Sequence, residues 1–147
     1  MITNFRIYEN FGFNMDIEKT EISIKILHIL AQFQVFHWQT EKMADHKTFD
    51  DFTASFKELG DKLMEVIQGK YGRITLAEDT YIPIRNLREL DPYQFVENSI
   101  DLFRVCQTIV FKEDQEIVAI LDEVIAELQQ LKYLFSYIFK FSVIRIK

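Results

Sequence analysis

Five side chains that carry metal-binding atoms lie close together in the sequence, between residues 37 and 65: His37, His46, Asp50, Asp61 and Glu65. If one helix covers residues 46–68, an advance of about 100° per residue places Asp50 about 40° from His46 and Asp61 about 20° from Asp50. Glu65 then lies about 40° beyond Asp61. Imidazole nitrogens and carboxylate oxygens form a suitable ligand set for Fe(II), Mn(II) or Zn(II). The spacing therefore predicts a metal-binding face on this helix.

The same residues also have an interpretation that involves no metal. Asp61 and Glu65 lie one turn apart, where two solvated carboxylates repel each other only mildly. A histidine at the end of a helix, such as His37, is more often a hydrogen-bonded structural residue than a ligand. A solvated polar face remains the alternative to metal binding at this point.

Apolar residues recur at three-and-four spacing in four segments, which predicts amphipathic helices over residues 17–39, 46–70, 92–111 and 113–141. The buried stripe predicted for the first helix is Ile22, Ile26, Ile29, Phe33 and Phe36. That of the second is Phe49, Phe52, Phe56, Leu59, Leu63 and Ile67, and that of the third is Phe95, Ile100, Phe103, Cys106 and Val110.

Glycine and proline mark where these helices begin and end. Gly69 and Gly72 lie at the end of the second helix, and Asp91 followed by Pro92 forms a typical start for the third. Residues 73–91 have poor periodicity and are expected to form a long crossover. Two helices, a long connection and two more helices predict an all-α, ferritin-like four-helix bundle with one crossover between the second and third helices.

Composition indicates one domain and limits the classes of partner. The chain has 147 residues, of which 48% are hydrophobic, enough for one sizeable core. A net charge of -6 repels nucleic acid. The single cysteine, Cys106, lies among apolar residues and is expected to be a reduced core thiol, which suits a cytoplasmic protein. Neither a signal peptide nor a membrane-spanning segment is expected.

The segment from His37-Trp38 to Glu65 resembles the mini-ferritins of the Dps family. That family carries a His-Trp pair near the end of the first helix, then a His with an Asp four residues later, then an Asp-x-x-x-Glu on the second helix. Here the corresponding residues are His37-Trp38, His46 with Asp50, and Asp61 with Glu65. The loop between the two histidines is three residues shorter than is usual in that family and lacks its glycine.

The resemblance implies a homo-oligomer, in that family a dodecamer, with Fe(II)-oxidising sites across two-fold interfaces. His37, His46 and Asp50 would then ligate iron, or Mn or Zn, from one subunit, with Asp61 and Glu65 supplied by its mate. DNA binding is not expected, because residues 1–15, which should form a flexible or extended arm, contain Arg6 as their only base.

The chain also resembles small uncharacterised proteins of large bacteriophages and giant viruses. The likeness lies in residues 34–40, Gln-Val-Phe-His-Trp-Gln-Thr, and residues 69–73, Gly-Lys-Tyr-Gly-Arg. It implies a location in the host cytoplasm or in a virion. It also supports a second functional hypothesis, a metal-free helical bundle that serves as a scaffold, virion or interaction protein.

Overall fold

Four long helices make up most of the chain. The structure, a computed structural model, describes the backbone of residues 14–146 and the side chains of residues 14–136. Helix α1 spans Met15–Gln39, α2 spans Met43–Tyr71, α3 spans Pro92–Val105 and α4 spans Gln115–Ile146. A turn of residues 40–42 joins α1 to α2, and residues 72–91 cross over to α3. The predicted all-α bundle with one long crossover is confirmed.

The helices pack as a closed four-member bundle. Helix α1 packs on α2, α2 on α4, and α3 on α4. The fourth side is closed by aromatic side chains, since the ring of Phe95 on α3 lies 5.9 Å from that of Phe33 and 6.3 Å from that of Phe36 on α1. Each helix therefore contributes one apolar stripe to a common core, as its sequence period requires.

The predicted stripes are buried as expected, with one exception. Leu59 of α2 is only partly buried and packs against the edge of the core. The interior is rich in phenylalanine, and its largest fully buried side chains include Phe33, Phe36, Phe56, Phe103 and Phe111. Such rings bury large apolar areas and stabilise the bundle mainly through the hydrophobic effect.

The helix ends follow the local signals. The Asn14 side chain accepts a bond from the Asp16 amide at the start of α1, and Asp91 does the same for Tyr93 at the start of α3. Helix α2 ends at Gly72, whose φ of 84° is readily adopted by glycine. Gly69 lies inside α2 rather than at its end.

Gly60 allows α1 and α2 to approach closely. A Cβ atom at this position would lie 2.8 Å from Cγ2 of the buried Ile26 on α1. The close approach explains why a residue of poor helix propensity stands in the middle of α2.

Two glutamines of α1 hold the crossover against the bundle. The Gln32 amide donates to the Arg85 carbonyl and accepts from the Arg85 amide, at 2.8 and 2.9 Å. Gln39 accepts a bond from the Leu87 amide at 2.8 Å. These bonds satisfy backbone groups of a segment that has no regular secondary structure of its own.

A turn of π-helix follows α3, where the sequence predicted a regular helix to residue 111. It spans Cys106–Val110, and the Phe111 amide donates to the Cys106 carbonyl at 2.8 Å. The buried Gln107 within it donates to the Val118 carbonyl and to Asp122 on α4. Periodicity gave no indication of this turn.

Some expectations concern residues outside the described range. The predicted arm falls mostly on residues 1–13, which are not described, while Asn14 and Met15 form the cap and first residue of α1. Within the described residues, none of the helices is both long and apolar enough to span a membrane.

Candidate metal-binding site

The turn between α1 and α2 brings His37 and His46 together. Their rings stack with centroids 3.9 Å apart and planes 29° apart. Nδ1 of His37 lies 3.0 Å from the carbonyl oxygen of His46, and Nδ1 of His46 lies 3.1 Å from the carbonyl oxygen of His37. Because a carbonyl can only accept, both Nδ1 atoms donate, and in the neutral rings Nε2 retains its lone pair. Histidines that ligate metals are commonly oriented in this way.

The stacked arrangement limits how the two rings can act together. A metal ion bound to imidazole lies in the plane of the ring, along the nitrogen lone pair. Because the rings stack at 3.9 Å with planes only 29° apart, the two ring planes converge too little for both Nε2 lone pairs to point at one ion within bonding distance. One ring must therefore turn, and give up its carbonyl bond, before both can bind the same ion.

Asp50 lies one turn after His46 on α2. Four residues correspond to a rise of about 6 Å, so the two side chains follow one another along the same side of the helix. Asp50 is exposed and forms no ion pair with any residue in the described part of the chain. A carboxylate next to the histidine pair is therefore open to solvent and to a ligand.

Asp61 and Glu65 lie far from the histidine pair. The 15 residues from His46 to Asp61 correspond to about 22 Å along α2, so these acids cannot meet the histidines within one chain. Both are exposed and line a groove between α2 and α4, and Asp61 pairs with Lys57 at 3.1 Å. Three further acids line the same groove: Glu58, Glu123 and Glu127.

The five candidate ligands thus form two groups at different levels of α2. His37, His46 and Asp50 lie near the α1–α2 turn, and Asp61 and Glu65 lie more than halfway along the helix. Residues 14–136 contain no group of three histidine, cysteine or acidic side chains placed to hold a metal ion. A complete site would need ligands from a second chain.

A cavity beside the α1–α2 turn was not predicted from the sequence. It has a volume of about 800 Å³, and its apolar lining comes from Phe49, Leu87, Pro92 and Phe135. Asp45 also lines it and has a buried Oδ1 atom without a hydrogen-bond partner. Burial raises the pKa of Asp45, and nearby Lys42 partly opposes this effect. The cavity depends on the meeting of three separate segments, which no local pattern indicates.

A second polar cluster, at the opposite end of the bundle, was also missed. Asp114, buried at the start of α4, accepts bonds from the Lys70 ammonium and from the Tyr71 hydroxyl, the latter at 2.5 Å. Lys19 of α1 is buried as well and donates to the carbonyls of Tyr71 and Gly72. The C-terminus of α2 is therefore fixed by charged side chains from two other helices.

Residues 37–135 match a protein family of unknown function, DUF5856. The chain belongs to this family. The DUF5856 region begins at His37 and ends at Phe135, so it contains all five candidate ligands and the crossover, whereas most of α1 lies outside it. Comparison with curated proteins and with solved structures gave no match.

Proposed function

We propose that this protein binds iron(II) at sites shared between two subunits of a homo-oligomer, oxidises it as the mini-ferritins do, and retains the product. The observation that carries the proposal is the pair of bonds between each Nδ1 and the other histidine's carbonyl, which leaves both Nε2 atoms available as ligands. The bundle with its long crossover is of the kind in which such carboxylate and histidine sites occur.

In this proposal each subunit contributes two different surfaces. The end of α1 and the first turns of α2 supply His37, His46 and Asp50, and the middle of α2 in a second subunit supplies Asp61 and Glu65. The Glu65 carboxylate has two oxygens and can hold two cations at once. Breaking the exposed Asp61–Lys57 pair costs little, because such surface pairs contribute less than about 1 kcal/mol.

Iron(II) oxidation in air, followed by absorbance near 300 nm, tests the proposal. The native chain is compared with an Asp61→Ala, Glu65→Ala double variant and with an Asp51→Ala, Asp101→Ala double variant. The second variant also removes two exposed acids, but these lie outside the groove between α2 and α4, and all five proposed ligands remain. We expect the native chain and the second variant to oxidise iron(II) quickly. The Asp61→Ala, Glu65→Ala variant should show only the uncatalysed rate.

If iron(II) oxidation proceeds at the same uncatalysed rate in all three proteins, the proposed ferroxidase activity is excluded. Light scattering provides an independent check, because a two-chain site requires at least a dimer and a dodecamer fits storage best. A stable monomer at every concentration would remove the site even with all ligands intact.

A second candidate is a metal-free scaffold, virion or interaction protein, and one observation favours it. Trp38 is 72% exposed and Met43 is 79% exposed, and both lie beside the α1–α2 turn. Large exposed aromatic side chains often anchor protein interfaces. Trp38 is the only tryptophan, so tryptophan fluorescence reports on this surface alone. For this alternative we expect the fluorescence to shift to shorter wavelength as the protein concentration rises, and we expect no oxidation of iron(II).

A further inference from the structure

The cavity beside the α1–α2 turn combines charged and apolar side chains. Its charged lining residues are two acids and two bases: Glu41, Asp45, Lys42 and Arg88. Its apolar lining consists of the half-buried Leu87 and Pro92 and the buried Phe49 and Phe135. A volume of about 800 Å³ lies within the range of pockets that bind small molecules. None of the five proposed metal ligands is among the described residues that line it, so the cavity is separate from the proposed iron site.

Asp45 is a carboxylate whose hydrogen-bonding capacity is not used. Its Oδ1 atom is buried and has no hydrogen-bond partner, which is uncommon for a buried polar atom. Asp45 is the third residue of α2, where an acidic side chain often accepts a bond from the amide of the residue before the helix. Here that amide, of Lys42, donates to Oγ1 of Thr40 at 3.3 Å instead. The charge of Lys42 favours the carboxylate form of Asp45, but the helix start does not use its oxygens as acceptors.

Arg88 supplies the opposite charge on the crossover side of the cavity. Its side chain is exposed, and within residues 14–136 its guanidinium pairs neither with Asp45 nor with any other carboxylate. The neighbouring backbone is held by Gln39, whose side-chain amide donates to Oδ1 of Asn86 and accepts from the Leu87 amide, both at 2.8 Å. The crossover is thus fixed beside the cavity without the guanidinium, which stays available for a ligand.

Opposite charges that line one cavity without pairing with each other suit a ligand that carries both. An ammonium group is attracted to Asp45, and a carboxylate group matches the fork of donors on the Arg88 guanidinium. A purely cationic ligand would be repelled by Arg88, and a purely anionic ligand by Asp45. The apolar walls require that the rest of the ligand be apolar as well.

We propose that this cavity binds a free α-amino acid with an apolar side chain. Its ammonium group donates to Asp45, and its carboxylate accepts from Arg88. Rotation about the Cβ–Cγ bond of Asp45 exchanges the two carboxylate oxygens, so the oxygen that is now buried can also turn toward the ligand. The apolar side chain of the amino acid packs against Leu87 and Pro92.

Ligand-observed NMR titrations of the full-length folded chain test the proposal with three probes that share a phenyl ring: phenylalanine, 2-phenylethylamine and 3-phenylpropionate. The amine lacks the carboxylate, and the acid lacks the ammonium group. Phenylalanine should bind saturably, with a Kd on the order of 1 mM or tighter. Each of the other probes should bind about tenfold more weakly, because it loses one charge-assisted hydrogen bond and is repelled by the charge left without a partner.

Two variants assign the two ends of the ligand. Asp45→Asn should weaken the binding of phenylalanine about tenfold without weakening that of 3-phenylpropionate, which has no ammonium group. Arg88→Gln should weaken phenylalanine by a similar factor without weakening 2-phenylethylamine. The difference between probes separates the loss of one contact from a loss of folding, because misfolding would weaken every probe.

Asp51→Asn and Arg85→Gln are the matched controls, since they make the same chemical changes at exposed residues that do not line the cavity. Both should leave the Kd for phenylalanine within about twofold of the native value. The proposal is overturned if phenylalanine shows no saturable binding to the native chain, or if either of the other probes binds as tightly as phenylalanine. It is also overturned if a control variant weakens phenylalanine as much as Asp45→Asn does.

Discussion

The rings of His37 and His46 stack at 3.9 Å, and each donates through Nδ1 to the backbone carbonyl of the other residue. The arrangement joins the last turn of α1 to the first turn of α2 and fixes the tautomer of both rings. It has a structural role as well as the potential to bind metal, because it satisfies two carbonyl groups near helix ends.

Long-range proton–nitrogen NMR spectra should detect the Nδ1–H tautomer for the neutral forms of both His37 and His46. The reason is that a carbonyl oxygen can bond only to a protonated nitrogen. Adding Zn(II) should shift the Nε2 signals and weaken one of the two Nδ1 bonds, since one ring must turn before both can share an ion. An Nε2–H tautomer in either ring would contradict the arrangement on which the iron-binding proposal depends.

Gly60→Ala is expected to destabilise the protein by about 1 kcal/mol, although alanine is the better helix former. Alanine gains about 1 kcal/mol in helix propensity, but overpacking against a branched core side chain costs about 1–3 kcal/mol. The relevant contact is the 2.8 Å approach to Cγ2 of Ile26. Urea unfolding measures the change.

Gly69→Ala is the matched control for this substitution, because it also lies in α2 but nothing lies within 4 Å of an added Cβ. It should stabilise the protein by up to about 1 kcal/mol. If both substitutions changed stability in the same direction, the close approach of α1 and α2 at Gly60 would not be the deciding factor.

Acid should weaken the fold through His28. Its pKa is lowered from 6.5 to about 4 in the folded state, mainly by burial, so the unfolded chain binds more protons between these values. Stability therefore falls as the pH drops from 6.5 toward 4, with a contribution of up to about 3 kcal/mol from this residue.

The urea midpoint as a function of pH measures this dependence. A His28→Gln variant should be less sensitive to pH than the native chain over the same interval and nearly parallel to it above pH 7. Parallel curves across the whole range would exclude His28 as the source.

Asp114→Asn should destabilise the junction of α2 and α4 by about 2 kcal/mol at neutral pH, since the buried acid accepts bonds from Lys70 and Tyr71. Burial on its own raises the pKa of Asp114, but these two hydrogen bonds outweigh it and hold the pKa below 3.8. The carboxylate therefore contributes stability above the unfolded pKa, and this contribution is lost as the pH falls through the folded value.

Tyr71→Phe serves as the comparison, because it removes one hydroxyl bond and leaves the carboxylate paired with Lys70. It should cost only about 1 kcal/mol. Thermal or urea unfolding of both variants at several pH values tests the assignment, and the penalty for Asp114→Asn should shrink in acid. If the loss of unfolding free energy caused by Asp114→Asn stays constant down to pH 3, the negative charge of Asp114 is not the source of its stabilising effect.

Several features of the fold could be predicted because their signals are local. The Asp91-Pro92 start of α3, the end of α2 near Gly72 and the core stripe of α1 all depend on residues within a turn or two of each other. The π-helical turn could not be predicted in this way. It accompanies the side-chain bonds of Gln107 to α4, which lies beyond a loop.

The candidate site was predictable only as a set of residues. Helical spacing placed Asp50, Asp61 and Glu65 on one side of α2, and they are indeed exposed. The angular position of a residue around the helix does not include its distance along the helix axis, and Asp61 lies about 22 Å along that axis from His46. Nor did it indicate that His37 and His46 stack with each other.

The sequence by itself determined that the chain forms helices, which face of each is apolar, where the long crossover lies, and where most of the helices begin and end to within a few residues. The end of α3, where the π-helical turn replaces regular helix, is the exception. These properties follow from the helical period and from capping groups, which act over a few residues. Only the tertiary structure decided which groups the polar side chains contact: Asp114 gains two hydrogen-bond donors, Lys19 closes the end of α2, and Lys25 lies over the ring of Phe95. The environment of a polar group depends on side chains from other segments, and only packing of the helices brings those together.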